Sequence, residues 1–394
     1  MKNKTNWHKD TISVRGGLKR SAFKETSEAL FLNSGYVYDT AEEAAEAFSG
    51  DIDRFVYSRF GNPTVAMLEE RLALMEGAEA ALATGTGMAS MFMSMAGMLS
   101  QGDRVVASRA LFGACYSVIR GILPRWGIEV AFVDGTDLNQ WTAALGKPAK
   151  IVFVETPSNP MLELVDIEAV TKLAHQAGAL MVVDNVFGTQ SGQSPLALGA
   201  DVVMYSITKH HDGHGRVMGG ALIGSEEIIR GDLLKFFRQT GPMISPFNAW
   251  VILKSMESMN LRVERKAENA VAVADFLSSH DAVDRIYYPH HSSHPQHELA
   301  RRQMSHGGTI LSFTIPGGRD EAFALLNQLE LIDISNNLGD SKSLACHPAS
   351  TTHEGIGPEG RDVMGIGENL IRLSLGLEHK DDLIGDLAHA LGAL

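Results

Sequence analysis

The sequence predicts an α/β protein: a large, mostly parallel sheet covered on both faces, followed by a smaller α+β domain. Three observations lead there. Short apolar runs fill the middle of the chain, helical patterns separate them, and a long helical stretch at 246–280 leads into a segment with its own strands. Nearly continuous apolar runs are expected of parallel strands buried on both sides, whereas a half-exposed strand alternates.

In chain order, the first 60 residues have few long apolar runs and read as an extended arm. The charge-free stretch 80–102 is interrupted by Thr84, Gly85, Thr86, Gly87, Ser90 and Ser94, so it reads as a Gly-rich turn and a buried helix and not as a membrane span. The strand candidates are "RVVAS" (104–108), "VAFVD" (130–134), "KIVFVET" (150–156), "LMVVDN" (180–185), "DVVMYSIT" (201–208) and "GGALIGS" (219–225). "DIEAVTKLAHQAG" (166–178) has an Asp near its start and a Gly at its end, which is a helix between two strands. Residues 246–280 contain no Gly and a single Pro at the start, and read as one helix. After it come a strand at 308–315, a helix near 320–329 and a strand at 370–378. The expected units are therefore an arm (1–60), an α/β domain (61–255) and a C-terminal α+β domain (256–394), and ligands belong at the carboxyl ends of the parallel strands.

The bulk properties narrow the function. A length of 394 residues with 44% hydrophobic and 21% charged residues is that of a globular protein of two or three domains. A formal net charge of −13 argues against a nucleic-acid partner, because phosphate backbones require clustered Lys and Arg. Only two cysteines occur, Cys115 and Cys346, far apart, which suggests neither a disulfide framework nor a zinc module. The start "MKNKTNWHKD" lacks the apolar core of a signal peptide, so a cytoplasmic enzyme without membrane attachment is expected.

Three stretches carry chemistry. "ATGTGMAS" (83–90) puts glycines ahead of a helical pattern, which is either a tight turn into a core helix or a site where backbone N–H groups bind an anion. It has no P-loop lysine, and no G-x-G-x-x-G is present. "VVDN" (182–185) ends an apolar strand in Asp184, an acid that can cap a helix, bind a metal or pair with a buried cation. Another apolar strand ends in Ser206-Ile207-Thr208-Lys209. Together these offer a carboxylate for a protonated ring nitrogen, donors for a phosphate, and an amine that can form a Schiff base. Those are the needs of pyridoxal 5′-phosphate (PLP).

The chain resembles the cystathionine γ-synthase-like (Cys/Met metabolism) PLP enzymes of fold type I, the aspartate aminotransferase-like transferase fold. "YSRFGNPT" (57–64), "ATGTGMAS", "VETPSNP" (154–160), "VVDN", "SITKHHDGHGRVMGG" (206–220), "HPASTTH" (347–353) and "LIRLSLGLE" (370–378) match in order along essentially the whole length. The resemblance implies that Lys209 is the Schiff-base lysine and that Asp184 pairs with the ring nitrogen. It further implies that Gly87, Met88, Ser206 and Thr208 hold the phosphate, and that Asn159 bonds the cofactor's phenolic oxygen. Arg372 would fork the substrate α-carboxylate. Tyr57 and Arg59, in the arm, would reach the cofactor phosphate of a neighbouring subunit, in a homotetramer built from dimers with shared sites.

Two departures from the family pattern refine the expected activity. "FGACY" (112–116) places Phe112 where many relatives have a tyrosine over the ring, so the stacking residue has no hydroxyl. "NNLGDSKSL" (336–344) places Asn337 where a serine usually meets the substrate. The expected reaction is a γ-replacement of methionine biosynthesis, in which sulfide displaces succinate from O-succinyl-L-homoserine. The same motifs are compatible with an acetyl leaving group, with cysteine as nucleophile, more distantly with γ-elimination, and with binding without turnover. No metal site is expected: Pro and Ser break any single-face spacing of His290, His291, His294 and His297. His210, His211 and His214, beside Lys209, read as loop residues.

Overall fold

The computed structural model describes residues 7–393, so the first six residues of the expected arm lie outside it. Two sheets organise the chain. The larger has seven strands: β1 (Ala80–Thr84), β2 (Arg104–Ser108), β3 (Glu129–Val133), β4 (Ile151–Glu155), β5 (Leu180–Asp184), β6 (Val202–Tyr205) and β7 (Gly220–Gly224), in the order β1-β7-β6-β5-β4-β2-β3. The pairs β6–β5, β5–β4, β4–β2 and β2–β3 are parallel. The smaller sheet has β8 (Arg285–Tyr287), β9 (Ile310–Thr314), β10 (Asp333–Ile334), β11 (Leu344–Cys346) and β12 (Leu370–Ser374), in the order β10-β11-β12-β9-β8. All its pairings but β10–β11 are antiparallel.

The core strands form where the apolar runs predicted them, and their side chains explain why. Val182 and Val183 of β5, Val202 and Val203 of β6, and Ile151 to Val154 of β4 are all fully buried. Alternate residues face separate clusters on the two sides of the sheet: Ile151, Phe153, Val182 and Val202 one, Val152, Val154 and Val183 another, and Val203 a third. Each such side chain contributes ~1.5–3 kcal/mol. Local signals set the helices between them. Asp166 caps Ile167–Gln176 by accepting from the Ala169 N–H at 3.1 Å. Asn62 caps Pro63–Glu76, accepting from the Thr64 N–H at 2.9 Å, with proline at the first helical position.

The structure departs from the sequence reading in four places. The charge-free stretch divides into β1 and the helix Gly87–Ala96, and no helix among the described residues is long and apolar enough to cross a membrane. β7 runs antiparallel to both neighbours. The predicted helix 246–280 is two helices, Pro246–Met256 and Met259–Ser278. At the break the Ser255 carbonyl accepts from the Ser258 N–H at 3.3 Å and from the Arg262 guanidinium at 2.8 Å. The arm, finally, is not wholly extended: Lys9–Arg15 is a helix whose Ile12 is buried in the core against the helix Pro63–Glu76.

Candidate active site

The functional side chains meet above the carboxyl ends of β4, β5 and β6. Parallel register fixes the first two: Glu155 and Asp184 are the last residues of neighbouring strands and lie directly opposite each other. Lys209 sits in the turn that follows β6. From the other side, β12 of the smaller sheet contributes Arg372, and the loop after β10 contributes Asn336 and Asn337. Between them lies a cavity of about 210 Å³. Of the residues marked from sequence, Gly87, Met88, Phe112, Asn159, Asp184, Ser206, Lys209 and Arg372 line it.

The two carboxyl groups are buried together, with no ion pair to either among the described residues. Asp184 accepts the Val186 N–H at 3.1 Å, and Glu155 accepts the N–H groups of Phe112 (2.6 Å) and Asn159 (2.9 Å). Desolvation raises both pKa values, and the like charge of Asp184 adds to the rise at Glu155. The pair therefore needs a proton or a cationic partner. Glu155 goes unmarked in the sequence reading, although "KIVFVE" ends in an acid just as "LMVVD" does.

Lys209 Nζ donates to Asn337 Oδ1 at 2.6 Å. Burial, with Arg372 nearby, lowers its pKa to about 8, so the free amine is far more populated near neutral pH than for an ordinary lysine. Arg372 is 1% exposed. It donates through Nη1 to Asn159 Oδ1 (3.0 Å) and through Nη2 to the carbonyls of Asn336 (3.0 Å) and Asn337 (3.2 Å). Its Nε is buried without an acceptor among the described residues.

The helix Gly87–Ala96 presents its N-terminus to the same space. Thr86 caps it by accepting from the Ala89 N–H at 3.0 Å. The Gly87 and Met88 N–H groups have no acceptor among the described residues. A Cβ on Gly87 would lie 2.6 Å from Ser206 Cβ, so only glycine lets the helix start meet Ser206 this closely.

These features suit PLP. Free N–H groups and the Ser206 hydroxyl suit a phosphate, the buried carboxyl pair suits a protonated ring nitrogen, and Lys209 suits an aldehyde. The unpaired Arg372 Nε suits a substrate carboxylate. Asn159, carried by a loop with two cis X-Pro bonds, joins Arg372 to the ring side of the cavity.

The other marked residues lie differently. Thr208 does not line the cavity: its hydroxyl donates to the Gly219 carbonyl (3.1 Å) and accepts from the Gly219 N–H (3.0 Å). Asn337 reaches the site through Lys209 and Arg372. Tyr57 and Arg59 line a separate, more open cleft with Gly241 and Met243, and Tyr57 is 43% exposed. His210 and His211 are buried, which lowers both pKa values, and they bond Thr309 and Gln190. Both cysteines are free and buried, and Cys115 lines the cavity.

Comparison with known proteins agrees with this geometry. The family described as Cys/Met metabolism PLP-dependent enzyme matches residues 10–392. An O-succinylhomoserine sulfhydrylase of Mycobacterium tuberculosis (strain ATCC 25618 / H37Rv) is 54% identical over 385 residues, covering 97% of this chain and 95% of that one. An O-succinylhomoserine sulfhydrylase of Pseudomonas aeruginosa is 46% identical, covering 98% and 95%. The crystal structure of cystathionine γ-synthase from Xanthomonas oryzae pv. oryzae in complex with cystathionine superposes with a TM-score of 0.94 at 33% identity, covering 98% of each chain.

The lysine environment yields a direct test. Competitive acylation of Lys209 in the cofactor-free protein, followed by mass spectrometry across pH, should give a midpoint near 8. Arg372→Leu should raise it, because the arginine charge disfavours the ammonium form. A midpoint at the ordinary 10.5, unmoved by that substitution, would refute the description.

Proposed function

The chain belongs to the Cys/Met metabolism PLP-dependent enzymes, and from that premise we propose that it converts O-succinyl-L-homoserine and sulfide into L-homocysteine and succinate. The observation that carries the reading is the convergence of Lys209, the Asp184–Glu155 pair, the Gly87 helix start and Arg372 on one cavity. The choice of substrates is supported by the 54% and 46% identical relatives, both named O-succinylhomoserine sulfhydrylase.

PLP, when bound, supplies an aldehyde for the amino group and a protonated ring that stores the electron pair released at Cα. Lys209 Nζ moves the protons: it takes one from Cα, a second leaves Cβ as succinate departs from Cγ, and both are returned after sulfide adds at Cγ. A pKa near 8 suits a group that must give and take protons near neutrality. Asn337 Oδ1 keeps Nζ aimed into the cavity. Asp184 would hold the ring nitrogen protonated, and Glu155 would share the burden of that charge. Gly87, Met88 and Ser206 receive the phosphate, joined by Thr208 if its hydroxyl turns from Gly219. Asn159 meets the phenolic oxygen, and Arg372 fixes the α-carboxylate. Phe112, which lines the cavity, would cover the ring and can neither give nor take a proton.

In this reading Tyr57 and Arg59 complete the phosphate site of a second subunit, and the working unit is a cytoplasmic homotetramer of such dimers. The support is that Tyr57 is exposed and that both residues line a cleft separate from this chain's own cavity. Hybrids of Arg59→Ala and Lys209→Ala subunits should regain part of the activity, since one site per dimer receives both intact groups. Absence of activity after verified subunit exchange would contradict a shared site.

The nucleophile follows from size and charge. Sulfide is small and substantially anionic near neutral pH, so it needs neither a base nor a carboxylate pocket. Cysteine needs both, and the chain is already acidic. With O-succinyl-L-homoserine, homocysteine should form about tenfold faster than cystathionine at equal nucleophile concentration, a barrier difference of ~1.4 kcal/mol. Elimination to 2-oxobutyrate should be slower still. Cystathionine as the preferred product would reassign the enzyme as a synthase.

A further inference from the structure

The helix Met259–Ser278 carries a buried lysine with no part in the steps above. Lys266 is fully buried, and no carboxylate lies within ion-pair distance of it among the described residues. Its Nζ donates to the Gly339 carbonyl at 2.8 Å. Burying an amine against one neutral acceptor is unfavourable, and an apolar side chain of similar length would fill the space without that cost. Desolvation, with Arg262 nearby, lowers its pKa to about 7, while the more distant Asp340 and Glu378 oppose the shift. The neutral amine still donates, so the bond to Gly339 survives loss of the proton.

Gly339 is where the loop after β10 presses on the catalytic turn. Its φ is +76°, and a Cβ there would lie 2.9 Å from His210 N and 3.0 Å from the Lys209 carbonyl carbon. Its N–H is held by Ser374 Oγ of β12 at 2.9 Å. The residues just before it contact both ends of the site: Asn337 Oδ1 takes Lys209 Nζ, and the Asn336 and Asn337 carbonyls take Arg372. A displacement of ~1 Å in such a segment is enough to cost on the order of 100-fold in rate.

We propose that Lys266 is a positioning residue: by holding the Gly339 carbonyl from behind, it fixes the Asn336–Gly339 segment so that Asn337 stays on Lys209 and Arg372 keeps its orientation. This rests on the reading of Lys209 as the proton-transferring base. The lysine acts through the loop and touches neither substrate nor cofactor.

Lys266→Met and Lys266→Gln in the holoenzyme test it, with hydrogen exchange of the 335–343 segment and steady-state kinetics as readouts. Lys266→Met removes the donor at similar volume. It should speed exchange in that segment about tenfold, lower kcat about tenfold and raise KM for the amino acid, with a melting temperature at or above that of the parent. Lys266→Gln keeps a donor and should recover most of both. Unchanged exchange and kcat in Lys266→Met would overturn the proposal, as would equal losses in a folded Lys266→Gln protein. Failure of Lys266→Met to fold would also count against it, because the lysine would then be a packing requirement of its helix. Turnover retained by Lys209→Ala would instead sink the reading of the base, and the exchange result would stand apart from it.

Discussion

Two carboxyl groups at the ends of adjacent parallel strands cannot both be ionised in a buried site, and the register of β4 and β5 leaves Glu155 and Asp184 no way to separate. Burying each acid costs several kcal/mol unless a cation or a proton joins the pair. The strands can sustain that. Met181, Val182 and Val183 of β5 alone are fully buried and together contribute ~5–9 kcal/mol. The sheet thus holds in place an unfavourable charge arrangement, which the positively charged ring nitrogen of the proposed function would make favourable. A site built this way would suit a cofactor that is cationic on one side and anionic on the other, with the Gly87 helix start to receive the anionic end.

The smaller sheet supplies what the larger one lacks. Arg372 comes from β12 and the Asn336–Gly339 segment from the turn after β10. Their hydrogen bonds to Asn159 and Lys209 cross between the two sheets. In the proposed reading, substrate recognition and proton transfer share one polar network. Moving the loop would then disturb both the base and the carboxylate fork, which is how a residue as remote as Lys266 would bear on the chemistry.

Much of this was legible in the sequence because burial on both faces writes continuous apolar runs, and strand ends carry the polar residues that follow them. Lys209, Asp184 and Ser206 were visible for that reason. β1 escaped because Ala80–Thr84 is alanine-rich and merges with the glycine turn after it. The direction of β7 is set by pairing partners, which a run of five residues does not encode. The division of the long helix is accompanied by Arg262 reaching back to Ser255, a contact without local signature. Glu155 needed only the reasoning applied to Asp184; its meaning comes from lying opposite that residue, and opposition is a property of the sheet. Asn337 stands out in sequence by its position in a motif, as a substrate contact; that its amide oxygen also accepts from Lys209 Nζ is a contact the motif does not encode.

The central claim is that Lys209 is the amine placed to bond PLP above the Asp184–Glu155 pair. Borohydride reduction of the purified yellow holoenzyme, followed by proteolysis and mass spectrometry, tests it most directly. The account predicts one phosphopyridoxyl group per chain, on the peptide containing Lys209, and its loss in Lys209→Ala. A label on a different lysine in the unaltered chain, or none in protein that turns over, would contradict it.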